Sequence, residues 1–272
     1  MVLSKLDRVM SGTGAAQAAP PGDGDFAALN LSLTHVSPVQ GGTSGQCYRA
    51  DIGGVPVFLK THANIAREAA VTAAAYPQMN VRLAGSWMIS PWLAHAKPAP
   101  QDVKTLIAQY SANLAGRSPV VAVPPEDDIS RLLEYGYQAL DTLDIADGTR
   151  AALRLLFDDL NAALPGLARV ICHGDLGPKN IMAADGAFVA IDWEDAFWGV
   201  AGYDYLFWLT FFENRPHLHQ YKPGGTPLGA RLERAVLALI VALKCELSYR
   251  QNTHTGNAIT FDARIREVLD LG

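Results

Sequence analysis

Residues 170–194 read V-I-C-H-G-D-L-G-P-K-N-I-M-A-A-D-G-A-F-V-A-I-D-W-E, and how this stretch folds back on itself decides the architecture. Asp185-Gly186 is a two-residue hairpin signal, because the favoured tight turn needs positive φ at both central positions and this pair tolerates it. It lies between Ile181-Met182 and the apolar run Phe188-Val189-Ala190-Ile191. The resulting ladder places Asn180 opposite Ile191 and next to Asp192. Opposed residues of an antiparallel pair stand roughly 5 Å apart, so the side chains of Asn180 and Asp192 reach a common point. Asp175 precedes Asn180 in a tight loop held between two apolar strand-like runs, and stands beside the same point.

Three oxygen-bearing side chains around one hairpin suit a particular chemistry. Phosphoryl transfer from a nucleotide needs a group that orients the attacking hydroxyl and two ligands that hold magnesium on the phosphates, since positioning and charge neutralisation stabilise its transition state. Asp175 fits the first role. Asn180 and Asp192 are hard oxygen donors, which suit Mg²⁺ better than zinc.

His173-Gly174-Asp175 followed by Asn180, and then Ile191-Asp192-Trp193-Glu194, resemble the catalytic loop and metal-binding segment of the aminoglycoside phosphotransferase and choline kinase family, within the protein-kinase-like fold. Protein kinases carry Arg after the His and Phe-Gly after the second Asp. Gly174 and Trp193-Glu194 stand there instead, which points to the small-molecule branch. Asp204, in Gly202-Tyr203-Asp204, falls where this group often has an Asp that braces the catalytic loop, and His173 is assigned the same bracing role. The resemblance is dense over residues 170–212. It implies an α+β, two-lobed protein-kinase-like fold: a small antiparallel β-sheet N-lobe and a larger, mainly α-helical C-lobe. It also implies ATP or GTP and Mg²⁺ as cofactors and a small hydroxyl-bearing substrate as partner. The rival readings are a nucleotide-binding pseudokinase or scaffold and a kinase of protein side chains. Against the first stand the intact Asp175, Asn180, Asp192 and Lys60; against the second, the aromatic helical run that follows Asp192 without an extended segment.

Upstream, Gln40-Gly41-Gly42-Thr43-Ser44-Gly45 precedes a strand over 46–52, a Gly53-Gly54 turn and a second strand over 55–60. That hairpin pairs Cys47 with Lys60 and brings Lys60 beside the glycine-rich loop. There Gly41, Gly42, Ser44 and Gly45 offer backbone N–H groups to phosphate oxygens and the lysine adds a point charge. In the helical run 63–76, Glu68 matches the residue that fixes this lysine's direction in kinases. Residues 86–92 resemble the strand and hinge between lobes, so backbone groups around Ile89 are expected at the adenine edge.

Length and composition bound the rest. The chain has 272 residues, enough for a full core. Residues 1–25 read as a flexible leader, 26–93 as the nucleotide-binding lobe and 94–272 as the catalytic and acceptor-binding lobe. A net charge of −5 without a basic stripe argues against nucleic acid as partner. No apolar segment approaches the ~18 residues of a membrane span, so no membrane is expected. Three cysteines without metal-ligand spacing suit a reducing cytoplasm. Helical periodicity fills residues 102–164 and 231–249, with the latter apolar nearly all round, while 214–229 reads as a Pro-Gly-rich loop in which His217 and His219 are solvated. The acceptor site is expected beyond Asp175, near an aromatic run from Trp193 to Phe212. That run is more readily core than a cage for a quaternary ammonium.

Overall fold

The chain is described here by a computed structural model covering residues 26, 29, 31–39, 45–115, 123–256 and 258–271. The expected leader, and Gly41, Gly42 and Ser44, lie outside the described residues.

Five strands open the fold: β1 (Leu33–Pro38), β2 (Gln46–Ile52), β3 (Val55–Thr61), β4 (Arg82–Ala84) and β5 (Trp87–Pro91), arranged β1-β2-β3-β5-β4 with every pairing antiparallel. Gly53 and Gly54 turn β2 into β3 with φ of 59° and 80°, values that glycine adopts without steric cost. The register pairs Cys47 with Lys60, as the sequence implies. Alternation along the strands sends Leu59, Trp87 and Ile89 to one face, where they form a small core with Ala50 and Val57. Lys60, Met88 and Ser90 take the other face and line the cleft described below. Between β3 and β4 runs α1 (Ile65–Ala75), whose apolar positions pack on Met88 and the start of the larger core.

The larger part is mainly helical. It holds α2 (Pro100–Ala115), α3 (Ile129–Thr142), α4 (Asp147–Ala163), α5 (Tyr203–Leu209), α6 (Arg215–Gln220), α7 (Gly229–Arg250) and α8 (Phe261–Leu269). α3 starts where the Asp128 carboxylate accepts the Ser130 N–H at 2.8 Å, satisfying one of the free donors of a helix N-terminus. Residues 235–243 of α7 are buried without interruption, so this helix is the axis of the core. Two small β-ribbons complete this part: β7 (Arg169–Cys172) with β10 (Phe197–Val200), and β6 (Ala94–His95) with β8 (Ile181–Ala184) and β9 (Ala187–Ala190). The α+β arrangement expected from the sequence, a small antiparallel sheet followed by a larger helical part, is the one observed.

One expectation fails. Residues 215–220, read as loop, form α6, because Pro216 sits in the first turn, where its missing N–H costs nothing, and Leu218 is driven into the core.

Candidate active site

The β8–β9 hairpin closes as its turn residues dictate. Asp185 and Gly186 have φ of 49° and 78°, Ile181 pairs with Ala190, and the Ile191 N–H donates to the Asn180 carbonyl at 2.9 Å. The next residue, Asp192, leaves the strand in the left-handed region at φ 69°, a costly conformation for a non-glycine residue that aspartate tolerates better than most. This turns its carboxylate toward the small sheet, where it meets the Lys60 ammonium in an ion pair. Lys60 is also held by both carboxylate oxygens of Glu68, at 2.8 and 3.0 Å. Burial alone pulls the lysine's pKa down, but Glu68 and Asp192 outweigh it and keep the side chain charged. Asp192 answers in kind: burial raises its pKa, and Lys60 brings it below the usual carboxylate range.

The loop from His173 to Asn180 is braced from beneath. Gly174 has φ +85°, and a Cβ there would lie 2.2 Å from the Asp195 carbonyl oxygen, so no side chain fits where protein kinases carry Arg. The buried Asp204 carboxylate accepts the N–H of His173 at 2.9 Å, the N–H of Gly174 at 3.2 Å and the Tyr110 hydroxyl at 2.6 Å. Burial raises the pKa of Asp204, and His173 with these donors opposes the rise. His173 donates from Nε2 to the Ile191 carbonyl at 2.8 Å, which leaves Nδ1 to accept the Asp175 N–H at 3.3 Å. One imidazole thus ties the backbone of Asp175 to the strand that presents Asp192. The Asn180 amide donates to the Asp175 carbonyl at 2.8 Å, leaving its Oδ1 without a donor among the described residues.

These groups line one cleft of about 1060 Å³, bounded by Lys60, Asp175, Asn180, Asp192, Phe211 and Lys244 among others. Gly45 is also on its wall, and a Cβ there would lie 2.2 Å from the Thr61 carbonyl, which explains the glycine. Asn180 Oδ1 and the Asp192 carboxylate form a hard oxygen donor set beside the cleft, and this set fits magnesium. The Ile89 side chain lies in the small core, and the residue pairs with Leu59 on one side and Arg82 on the other. The cleft wall at this level is Met88, Ser90, Pro91 and Trp92.

The aromatic run divides. Trp193, Phe197, Tyr203, Phe207 and Trp208 are core, whereas Phe211 and Phe212 line the cleft. Sequence reasoning missed several groups. His62, just past the end of β3, lies 2.6 Å from the Glu68 carboxylate through Nε2 and 3.8 Å from Glu194; its place two residues after Lys60 was the available signal. Lys244 was legible as the charge that ends the apolar run of α7. Thr210 and Arg264 carried no signal, because their place depends on how the last helices pack.

The model of the phosphotransferase enzyme family matches residues 39–237. No curated protein matches the chain. Among solved structures, the chain is similar to the aminoglycoside phosphotransferase APH(4)-Ia, at TM-score 0.60 and 15% identity, with 91% of this chain and 96% of that one covered. It is similar to a choline/ethanolamine kinase family protein from Mesorhizobium loti, at TM-score 0.57 and 16% identity, covering 100% and 95%. A thermostable mutant of APH(4)-Ia, solved as a ternary complex with AMP-PNP and hygromycin B, matches at TM-score 0.56 and 16% identity, covering 88% and 94%. The fold is the two-lobed, protein-kinase-like one.

Proposed function

The chain belongs to the phosphotransferase enzyme family, and on that premise we propose that it moves the γ-phosphate of ATP or GTP to a hydroxyl of a small molecule. The observation that carries this reading is the convergence on one cleft of Lys60, paired with both Glu68 and Asp192, and of Asp175, tied to Asn180 and His173. In this reading residues 26–93 are the nucleotide lobe and 94–272 the catalytic and acceptor lobe.

Asp175 orients the acceptor hydroxyl and takes its proton as the oxygen attacks phosphorus. Lys60 faces the nucleotide phosphates, with Glu68 and His62 fixing its direction. Asn180 and Asp192 would hold Mg²⁺, which would neutralise charge on the phosphates. Asp204 and His173 keep the loop rigid, so that Asp175 is in place before the acceptor arrives. Gly45 belongs to the phosphate-facing turn.

A small acceptor is favoured over a protein because the chain enters α5 at Tyr203, soon after Asp192, and the cleft is walled there by Phe211, Phe212 and Val241. The neighbour crystallised with AMP-PNP and hygromycin B supports a nucleotide and a small molecule as the two partners. No described helix is long and apolar enough to cross a membrane, and the three free cysteines suit a reducing cytoplasm. Nucleotide consumption across a panel of alcohols, sugars and amino alcohols, with mass detection of the product, tests the assignment. Phosphate must appear on a small hydroxyl compound; incorporation only into protein would contradict it.

A further inference from the structure

Lys244 stands in the cleft without a direct ion pair among the described residues. It projects from α7 with part of its surface open to the cavity. Its ammonium donates to Thr210 Oγ1 at 2.7 Å, while that hydroxyl gives its own proton to the Phe207 carbonyl at 2.7 Å. It lies 3.6 Å from the Phe211 ring centre and 3.9 Å from that of Phe207. No carboxylate comes within 4.0 Å of it among the described residues, and its other two N–H donors have no acceptor there. The neighbouring cation is different: Arg264 is balanced by Glu267 at 2.5 Å. Phe211 also touches the catalytic loop, since a Cβ on Gly177 would meet its ring at 2.6 Å. Lys244 therefore stands beside the loop that carries Asp175, on the helical part of the cleft wall, whereas Lys60 is on the small sheet.

A lysine held among aromatic rings with unused donors and no carboxylate in contact is a site for an anion. We propose that the acceptor carries an anionic group, a carboxylate or a phosphate ester, besides the hydroxyl it offers to Asp175, and that Lys244 pairs with that group. This rests on the reading of the cleft as a phosphotransferase site. Phe211, the ring on the cleft wall beside this lysine, is engaged by the protein's own ammonium, so a cationic acceptor finds both a repelling charge and an occupied aromatic face. The surroundings agree. Burial pulls the Lys244 pKa down to about 7, with Asp175 and Glu213 opposing and Arg264 adding to the fall, so an incoming anion restores the charge that the site weakens.

The test is turnover with two charge-matched series: glycerol, glycerate, glycerol phosphate and serinol; and glucose, gluconate, glucose phosphate and glucosamine. In at least one series an anionic member is expected to exceed its neutral and amine partners by tenfold or more in kcat/KM, the size of one charge-assisted hydrogen bond. The carboxylate and phosphate arms identify which anion is preferred. Lys244→Met, which keeps an apolar stem against the rings, is expected to remove the preference through KM, and Lys244→Arg to retain part of it. Calorimetry of MgATP binding to both variants separates a local change from a misfolded protein. Neutral or amine members preferred in both series, no turnover with any anionic member, or a preference that survives Lys244→Met each overturns the proposal. Turnover confined to neutral or amine members would leave the phosphotransferase reading standing, whereas MgATP binding with phosphate transferred to no small hydroxyl compound would count against that reading as well.

Discussion

Asp175 and Asp192 are asked to do different things, and their substitution should separate the roles. Asp175→Asn keeps the size and the backbone ties to His173 and Asn180 but cannot take a proton. Turnover is expected to fall by about three orders of magnitude, with the KM for nucleotide little changed in steady-state assays. Asp192→Asn removes the ion pair with Lys60 and weakens the metal set, so nucleotide affinity should fall along with turnover. Lys244 has a stability signature of its own. The unfolded chain holds this proton up to about pH 10.5 and the folded one only to about 7. The folded state thus carries a penalty that is full below pH 7 and relieved as pH rises toward 10.5. Lys244→Met is expected to raise Tm by about 5 °C at pH 6, and the gain should shrink toward pH 10, read by thermal unfolding at each pH. At this scale the sequence was most informative where chemistry is local. Asp175, Asn180 and Asp192 share one hairpin, so their spacing alone brings them together. Thr210 and Lys244 meet only through packing of separate segments, and no local pattern encodes that.

Hairpins and strand alternation were legible because turn residues act locally. Asp185-Gly186 and Gly53-Gly54 set both registers through their positive φ, and that fixed Asn180 against Ile191 and Cys47 against Lys60. Which face of β5 meets the cleft was not legible, because an apolar strand can be read from sequence without knowing how it is turned. The short helix at 215–220 was hidden by its proline, which breaks a helix interior but suits a first turn. Two glycines test the catalytic loop as an element. Gly174→Ala adds a Cβ 2.2 Å from the Asp195 carbonyl at a φ of +85°, and should cost about 3 kcal/mol, measured as a lowered midpoint in urea. Gly177 has an ordinary φ of −97°, so Gly177→Ala meets the Phe211 ring first, without a backbone penalty. It should raise the acceptor KM severalfold while leaving the nucleotide KM nearly unchanged; equal effects on both would place Phe211 outside the acceptor side.

The small sheet and the helical part are joined across the cleft by charge. Lys60 pairs with Asp192, and Arg67 on α1 donates to Asp127 at 2.7 Å and to the Ala196 carbonyl. A nucleotide bound between Lys60 and the Asn180–Asp192 pair bridges the same parts, so saturation with MgATP should raise Tm by about 5 to 10 °C at a hundredfold excess over Kd. Lys60→Met should lose most of that shift. The two-part organisation was readable because a β-rich stretch gives way to helical periodicity, yet the closeness of the parts rests on side chains far apart in sequence. The most direct test of the central claim, that these groups act together on one bound triphosphate, is mass-detected phosphate transfer from ATP or GTP to a panel of small hydroxyl compounds, by the native chain and by Asp175→Asn. A phosphorylated small molecule formed by the native chain, and reduced about a thousandfold by the substitution, is predicted. Equal product from both, or nucleotide binding with no small-molecule product at all, would contradict it.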